Sequence, residues 1–367
     1  MQDHLSLGVE EEFHVADATS RVLAPRGDVV LDAVTRDGFA SWQFAGEIYL
    51  SMVETATVVC HTLAEVRSQL QALRARLCAA AASHSLHVLA AGTMPFTKHR
   101  MQQVTPDERY HAIVGLHQQV SRDMMACGTH VHVGVTDRDD AVQVLNHVRP
   151  YLAPLLALSA NSPLYDGQDT GFASYRTVVW GRWPSVAPLE LFADAAEYDA
   201  VGTMLIDSGA IIDLGQIYWD ARLSRKHPTV EFRVADMCMT VDHAVVQAGL
   251  CRALVRRALD LIRAGEAPPA IRPMALRAAK WRAARFGLED QLFDPVTCRL
   301  VPASELIRGM LDVLRPALEA EGDWDEMCEL VGKLLHDGTG ATRQRAAFAR
   351  AGRLEDVIDV IALDTCA

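Results

Sequence analysis

Three consecutive carboxylates, Glu10-Glu11-Glu12, stand inside a segment that alternates Leu5, Leu7 and Val9 against Ser6, Gly8 and Glu10. That alternation predicts a strand from His4 to Ala16, with Glu10 and Glu12 on one face and Glu11 on the other. Two carboxylates about 7 Å apart on a sheet face repel each other unless a cation or a basic group lies between them. Hard cations such as Mg²⁺ take such oxygen ligands. A solvated strand at an exposed sheet face accounts for the motif equally well. Glu54 narrows the choice, because it lies inside the apolar stretch Met52-Val53-Glu54-Thr55-Ala56-Thr57, where an unpaired carboxylate is costly to bury. Glu231 repeats the situation in Thr229-Val230-Glu231-Phe232-Arg233-Val234. There Glu231 and Arg233 share a face, and a structural Glu–Arg pair would explain that strand alone. Glu10, Glu12, Glu54 and Glu231, spread over three predicted strands, are what a shared sheet face needs to hold more than one Mg²⁺.

His130 and His132 form an H-x-H pair on one face of the β-rich run Thr129 to Thr136. Three readings stay open. They are two zinc ligands with others from His147, His227 or His243, or support for an ATP-bound metal or a phosphate oxygen, or hydrogen-bonded core histidines. The stretch from Ser159 to Pro188 is rich in Gly, Pro, Asn, Asp and aromatics, too long for an ordinary connection. Tyr175, Arg176, Trp180, Arg182 and Trp183 on it suit a substrate lid, since a guanidinium grips carboxylate or phosphate in a forked geometry. G-x-x-x-x-G-K-[ST], a G-x-G-x-x-G after a strand, and G-x-S-x-G are all absent. A nucleotide, if used, must therefore be held through metal-coordinating carboxylates on a sheet.

The elements that must position these groups follow from periodicity. Trp42 to Val59 reads as an extended hairpin, and Leu63 to Leu77 as a helix with apolar residues at three- and four-residue steps. Leu86 to Ala91 predicts a strand, Asp107 to Ala126 a helix, and Asp137 caps another that Pro150 and Pro154 kink or break. A helix near Ala195 to Ile212, strands at Gln216 to Asp220 and Thr229 to Ala235, and a nearly all-helical remainder from Val241 complete the chain. Breaks in that remainder fall at Gly265 to Pro273, Phe293 to Pro302 and Gly338 to Gly340. The fold class is α+β: one mainly antiparallel sheet covered by helices, with a largely helical C-terminal half.

Composition excludes several classes. The 367 residues are 50% hydrophobic with a formal net charge of −12, which argues against a nucleic-acid surface. No apolar run is long enough to span a membrane, and Met1 to Glu12 lacks a signal peptide's basic start and apolar stretch. The expected location is the cytoplasm. None of the eight cysteines forms a C-x-x-C pair, and most are expected to be buried thiols.

Leu7-Gly8-Val9-Glu10-Glu11-Glu12-Phe13 resembles the N-terminal signature of the bacterial carboxylate–amine ligase family, often labelled type 2 glutamate–cysteine ligase. So do Val53 to Thr57, Cys127 to Gly134 (CGTHVHVG), Ser174 to Thr177, Ile217 to Asp220, Pro228 to Val234 and Trp281 to Gly287, in the expected order along the chain. The resemblance implies one catalytic domain over residues 1–367, glutamine-synthetase-like, with a curved antiparallel sheet forming a funnel. It implies that Glu10, Glu12, Glu54, His130 and Glu231 bind ATP with two or more Mg²⁺, and that Arg233 and Arg176 face phosphate or substrate carboxylate. The implied chemistry joins a small-molecule carboxylate to an amine through an acyl phosphate, glutamate and cysteine being one pair, with a homodimer as the assembly to consider. The lid departs from the family after Pro184, where Val186 to Leu191 (VAPLEL) is apolar. A zinc-dependent hydrolase using His130 and His132, and a non-catalytic nucleotide-binding relative, are the rival classes.

Overall fold

β1 (Leu7–Asp17) is the spine of the sheet in the computed structural model, which describes residues 4–35, 41–96 and 103–367. Met1 to Asp3, part of the N-terminal stretch read for a signal peptide, lie outside the described residues. After α1 (Gly27–Val34), β2 (Phe44–Gly46) and β3 (Met52–Ala56) form the hairpin expected over Trp42 to Val59. α2 (Leu63–Ala82) follows, then β4 (Leu86–Leu89). The predicted helix over Asp107 to Ala126 is two shorter ones, α3 (Glu108–His117) and α4 (Gln119–Arg122), because Gln118 between them takes φ 50°. β5 (Thr129–Gly134) and α5 (Arg138–Val148) come next. A 3₁₀ turn carrying Pro150 then separates α5 from α6 (Leu152–Ser159), as proline there requires.

The long polar stretch is more ordered than its composition suggests. It contains a small hairpin, β6 (Leu164–Tyr165) with β7 (Gln168–Asp169), and a short helix, α7 (Tyr175–Trp180). Beyond α8 (Ala195–Asp207) the strand expected at Gln216 to Asp220 is displaced. A 3₁₀ turn occupies Leu214–Gln216, and the strand is β8 (Ala221–Leu223), which pairs with β9 (Thr229–Phe232). α9 (Val241–Arg263) and α10 (Pro273–Phe286) open the helical half. The predicted break at Phe293 to Pro302 is a hairpin, β10 (Gln291–Asp294) with β11 (Arg299–Pro302), before α11 (Ala303–Glu321), α12 (Trp324–Asp337), α13 (Gly340–Ala351) and α14 (Leu354–Thr365).

Every pairing in the main sheet is antiparallel, in the order β2-β3-β1-β5-β9-β8, with β4 also on β1. The sheet is open, with β2 and β8 at its edges. β1 serves three partners: Leu7 to Glu11 pair with β5, Glu10 to His14 with β3, and His14 to Asp17 with β4. One face is core. Val9, Val131, Val133, Val230 and Phe232 pack with residues of α2, α5 and α9 in a continuous apolar cluster. Glu11 also points to this side and is fully buried against Arg74 of α2, whose Nε donates to it at 2.9 Å. The other face is free to carry polar groups.

α2 starts on a capping box: the Thr62 side chain accepts from Glu65 N at 3.1 Å while Glu65 accepts from Thr62 N at 3.3 Å. Thr62→Ala should lower stability by about 1 kcal/mol in urea unfolding, and a change within ~0.2 kcal/mol would show the box to be idle. The cysteine expectation needs correcting. Cys78 in α2 and Cys366 after α14 form a disulfide across a sequence separation of 288, and Cys298 is exposed, whereas Cys60, Cys127, Cys238 and Cys251 are buried thiols. Among the described residues no helix is long and apolar enough to cross a membrane.

Candidate active site

Strand register assembles the site. Residues directly opposite in antiparallel strands point to the same face. Glu12 lies opposite Glu54, Glu10 opposite His130, His132 opposite Glu231, and Glu231 opposite Arg222. With Glu10/Glu12 and His130/His132 two residues apart, all seven side chains share the face turned away from the apolar core. They line a cavity of about 570 Å³, closed by Tyr110 of α3 and by Trp180, Trp183 and Tyr218. Those last three rings pack with centroids 4.7 to 6.4 Å apart.

Two ligand clusters divide this face. In the first, Glu10, His130 and Glu231 bring ligand atoms within 4.8 Å of one another. His130 Nδ1 lies 3.3 Å from Glu10 Oε2, and His132 Nε2 lies 3.5 Å from Glu10 Oε1. Arg222 grips Glu231 with Nε at 2.8 Å and Nη2 at 3.1 Å, and Arg233 donates to Glu231 at 2.5 Å. Burial alone would raise the Glu231 carboxyl, but the Arg233 and Arg222 charges hold it well below the carboxylate range. Glu10 is likewise pulled below its usual range against burial, by the His130 and His132 rings beside it. His130 itself is lowered to about 4, by burial and then by the Arg233 charge.

The second cluster is Glu12, Glu47 and Glu54, again with ligand atoms within 4.8 Å. Here the electrostatics run the other way. Burial and the Glu47 charge push Glu12 up to about 7, and burial with Glu10 and Glu47 pushes Glu54 well above its usual range. Glu12 accepts from Gly128 N at 2.6 Å, but among the described residues no arginine or lysine forms an ion pair with Glu12, Glu47 or Glu54. Three crowded carboxylates, whose nearest basic contact is His130 Nε2 at 3.7 Å from Glu12, fit a divalent cation. The buried Nε2 atoms of His130 and His132 meet only long contacts, to Glu12 at 3.7 Å and to Glu10 at 3.5 Å.

A carboxyl whose folded pKa is raised favours folding while protonated, and that contribution fades as pH rises through the folded value. Glu12 therefore loses its contribution as pH climbs from the ordinary carboxyl value of 4.5 to about 7, and Glu54, raised well above its usual range, acts in the same direction. His14 and His130, lowered to about 3 and about 4, act oppositely, but only below the ordinary histidine value of 6.5. Metal-free protein should melt at progressively lower temperature as pH rises from about 6.5, above the histidine range, to about 7, with Mg²⁺ restoring most at the upper end. A flat melting temperature across that interval without metal contradicts the crowding.

The site thus brings together Glu10, Glu12, Glu54, His130, Glu231 and Arg233, but not Arg176. Arg176 is buried behind the wall, where Nη2 lies 3.3 Å from Arg233 O and Nη1 4.0 Å from Asp236, and it is absent from the cavity lining. Gly128 makes room for it, since a Cβ there would run into the Arg176 guanidinium. The further zinc ligands do not assemble either. His147 lies within α5 and His243 in the first turn of α9, neither lining the cavity. His227 meets His132 only edge to face at 6.2 Å between centroids. Glu47 and Arg222 are site residues that sequence reading did not nominate. A carboxylate in the apolar run Phe44-Ala45-Gly46-Glu47-Ile48-Tyr49 was the available signal for Glu47.

The architecture is shared with solved structures. It matches a bifunctional glutathione synthetase from Pasteurella multocida with a TM-score of 0.68 at 16% identity, over 99% of this chain and 52% of that one. It also matches a glutamate–cysteine ligase from Francisella tularensis in complex with AMP, with a TM-score of 0.67 at 12% identity, over 100% and 90% of the two chains. At those identities the likeness is one of fold. At the level of sequence, the family profile described as Glutamate-cysteine ligase family 2 matches residues 6–360, and the chain belongs to that family. A Frankia alni protein named "Putative glutamate--cysteine ligase 2-3" is 44% identical over 99% of this chain, which spans 42% of that protein's length. A Salinispora arenicola protein named "Putative glutamate--cysteine ligase 2" is 43% identical over 98% of this chain and 95% of its own. The chain therefore spans under half the length of some curated relatives and nearly all of others.

Proposed function

We propose that the chain is an ATP-dependent ligase that joins a small-molecule carboxylate to an amine through an acyl phosphate, with residues 1–367 forming one catalytic domain. The observation that carries this reading is the pair of carboxylate clusters on one sheet face, Glu10/His130/Glu231 and Glu12/Glu47/Glu54, in a family of ligases. Mg²⁺ bound by those clusters would neutralise the triphosphate, whose γ-phosphoryl group otherwise repels an incoming carboxylate. The chain's own groups supply position and charge. Arg233, fixed by Glu231 and 3.3 Å from His130, would donate to developing negative charge on a transferred phosphoryl group. Arg225 and Lys226 form an exposed cationic rim suited to an anionic substrate entering a protein of net charge −12. Tyr110 and the Trp180, Trp183 and Tyr218 rings exclude water from the reacting groups, so that amine rather than water meets the activated acyl group.

A carboxylate oxygen attacks the γ-phosphorus and ADP leaves; the amine then attacks the acyl carbon and gives up a proton to solvent or to the departing phosphate, which leaves with the oxygen that came from the acid. Glutamate with cysteine is the first pair to test, followed by other amino acids and amines. ADP release should require Mg²⁺ and a carboxylic acid together. Turnover without ATP, dependent on tightly held zinc, would replace this reading with a hydrolase. Nucleotide binding with no ADP release from any acid–amine pair would replace it with a binding module.

A further inference from the structure

Arg222 of β8 bridges two parts of the site. Its Nε and Nη2 hold Glu231 at 2.8 and 3.1 Å, while Nη1 donates to two main-chain carbonyls, Gly215 O and Ile217 O, each at 2.9 Å. Each of its three nitrogens therefore has a protein partner, so the guanidinium is placed to join structure rather than to grip a ligand. The two carbonyls belong to the 3₁₀ turn Leu214–Gln216 and to the peptide that leads into Tyr218. Tyr218 is part of the aromatic wall, its ring centroid 4.7 Å from that of Trp180 and 5.2 Å from that of Trp183.

The same turn is tied to the wall a second time. Gln216 is fully buried; its main-chain oxygen accepts from Ser185 Oγ at 2.6 Å, just beyond Trp183, and its side-chain oxygen accepts from Ile212 N at 2.7 Å. β8 is an edge strand of only three residues, so its ladder does little to fix the chain that precedes it. Arg222 is the brace. Through it the Glu231 carboxylate on the sheet face and the wall of Trp183 and Tyr218 become one hydrogen-bonded unit. Lysine could not do the same, since a compact ammonium cannot match the carboxylate fork and reach two carbonyls at once.

We propose that Arg222 is a positioning residue: by bridging Glu231 to the Gly215 and Ile217 carbonyls it keeps Tyr218 and Trp183 over the reacting groups, so that the activated acyl group meets the amine rather than water. The consequence for turnover rests on the ligase reading above. Where the wall loosens, water attacks the acyl carbon, phosphate leaves with the acid's own oxygen, and the acid is regenerated with release of a proton. ADP then forms without amide.

The test counts ADP released per amide formed with the acid–amine pair that the parent turns over. The parent should stay near about one ADP per amide, and Arg222→Lys should raise that ratio at least about threefold although the positive charge remains. Arg222→Ala should raise it too, and added methylguanidinium should restore it. A residue needed only for stability would lose ADP release and amide together, with the ratio unchanged. Acrylamide quenching gives a readout free of turnover. With Trp42, Trp281 and Trp324 replaced by phenylalanine, Trp180, Trp183 and Trp219 should be quenched at least about twofold more readily once Arg222→Lys is added. Should the parent release no ADP with any acid, the ligase reading fails, and the quenching still decides whether Arg222 braces the wall. An unchanged ratio in Arg222→Lys, no rescue of Arg222→Ala by methylguanidinium, or equal quenching would each overturn the assignment.

Discussion

Glu10→Gln and Glu54→Gln should each lower Mg²⁺-dependent ADP release by at least about a hundredfold while leaving the protein folded. The two residues stand in different clusters and should fail differently. Glu10 is held ionised by His130 and His132, so its amide loses both a ligand charge and the partner of two histidines. Glu54 is crowded by Glu10, Glu12 and Glu47 and is costly to ionise. Its amide removes that repulsion, so the metal-free Glu54→Gln protein should be at least as stable as the parent while its gain in melting temperature with Mg²⁺ shrinks. Unchanged rates in both variants, with circular dichroism intact, would remove the sheet face from the chemistry.

The largest expected effect on stability lies on the opposite face of the same strand. Glu11 and Arg74 form a fully buried pair, and Arg74 also donates to Met239 O at 2.9 Å and Cys238 O at 2.8 Å. The arginine thereby ties α2, the first strand and the segment leading into α9 into one unit. Removing one member of a buried pair leaves the other charged and alone, which typically costs about 3–5 kcal/mol. Arg74→Met should reach that range in urea unfolding, since Glu11 and two carbonyls lose their donor together. Glu11→Leu with Arg74→Met should recover part of the loss by removing both charges, though not the carbonyl contacts. A single Arg74→Met variant within about 1 kcal/mol of the parent would show that water or a rearranged side chain replaces the pair.

How much of this was legible in the sequence differs from residue to residue. The alternation around Glu10, Glu11 and Glu12 sufficed to place two carboxylates on one face and the third on the other, because period two leaves no other arrangement. Glu54 and Glu231 stood out because acids inside apolar strands need a partner or a metal. Glu47 was missed for a physical reason: it follows a strand of only three residues, too short to show a period, and becomes a neighbour of Glu12 and Glu54 only when the hairpin closes. Arg222 escaped because its strand, also of three residues, lies just beyond the stretch whose composition read as extended. Arg176 illustrates the opposite error. An arginine beside a Gly-rich segment suggests an exposed anion grip, yet Ser162 and Ser174 donate to Asp236 at 2.6 and 2.8 Å and fix the start of α7. Arg176 is thereby turned inward, and that arrangement depends on contacts more than sixty residues apart along the chain. The Cys78–Cys366 bridge was equally out of reach, since spacing alone cannot assign pairing between distant cysteines.

On the proposed reading, this acidic sheet face passes the γ-phosphoryl group of ATP to a carboxylic acid before an amine arrives. Isotope transfer tests it directly, using an acid that supports ADP release, labelled with ¹⁸O in its carboxylate, together with Mg-ATP and the amine. Phosphate released during turnover should carry one labelled oxygen for each amide formed. Unlabelled phosphate accompanying amide formation, or phosphate released at the same rate with no acid present, would contradict the account.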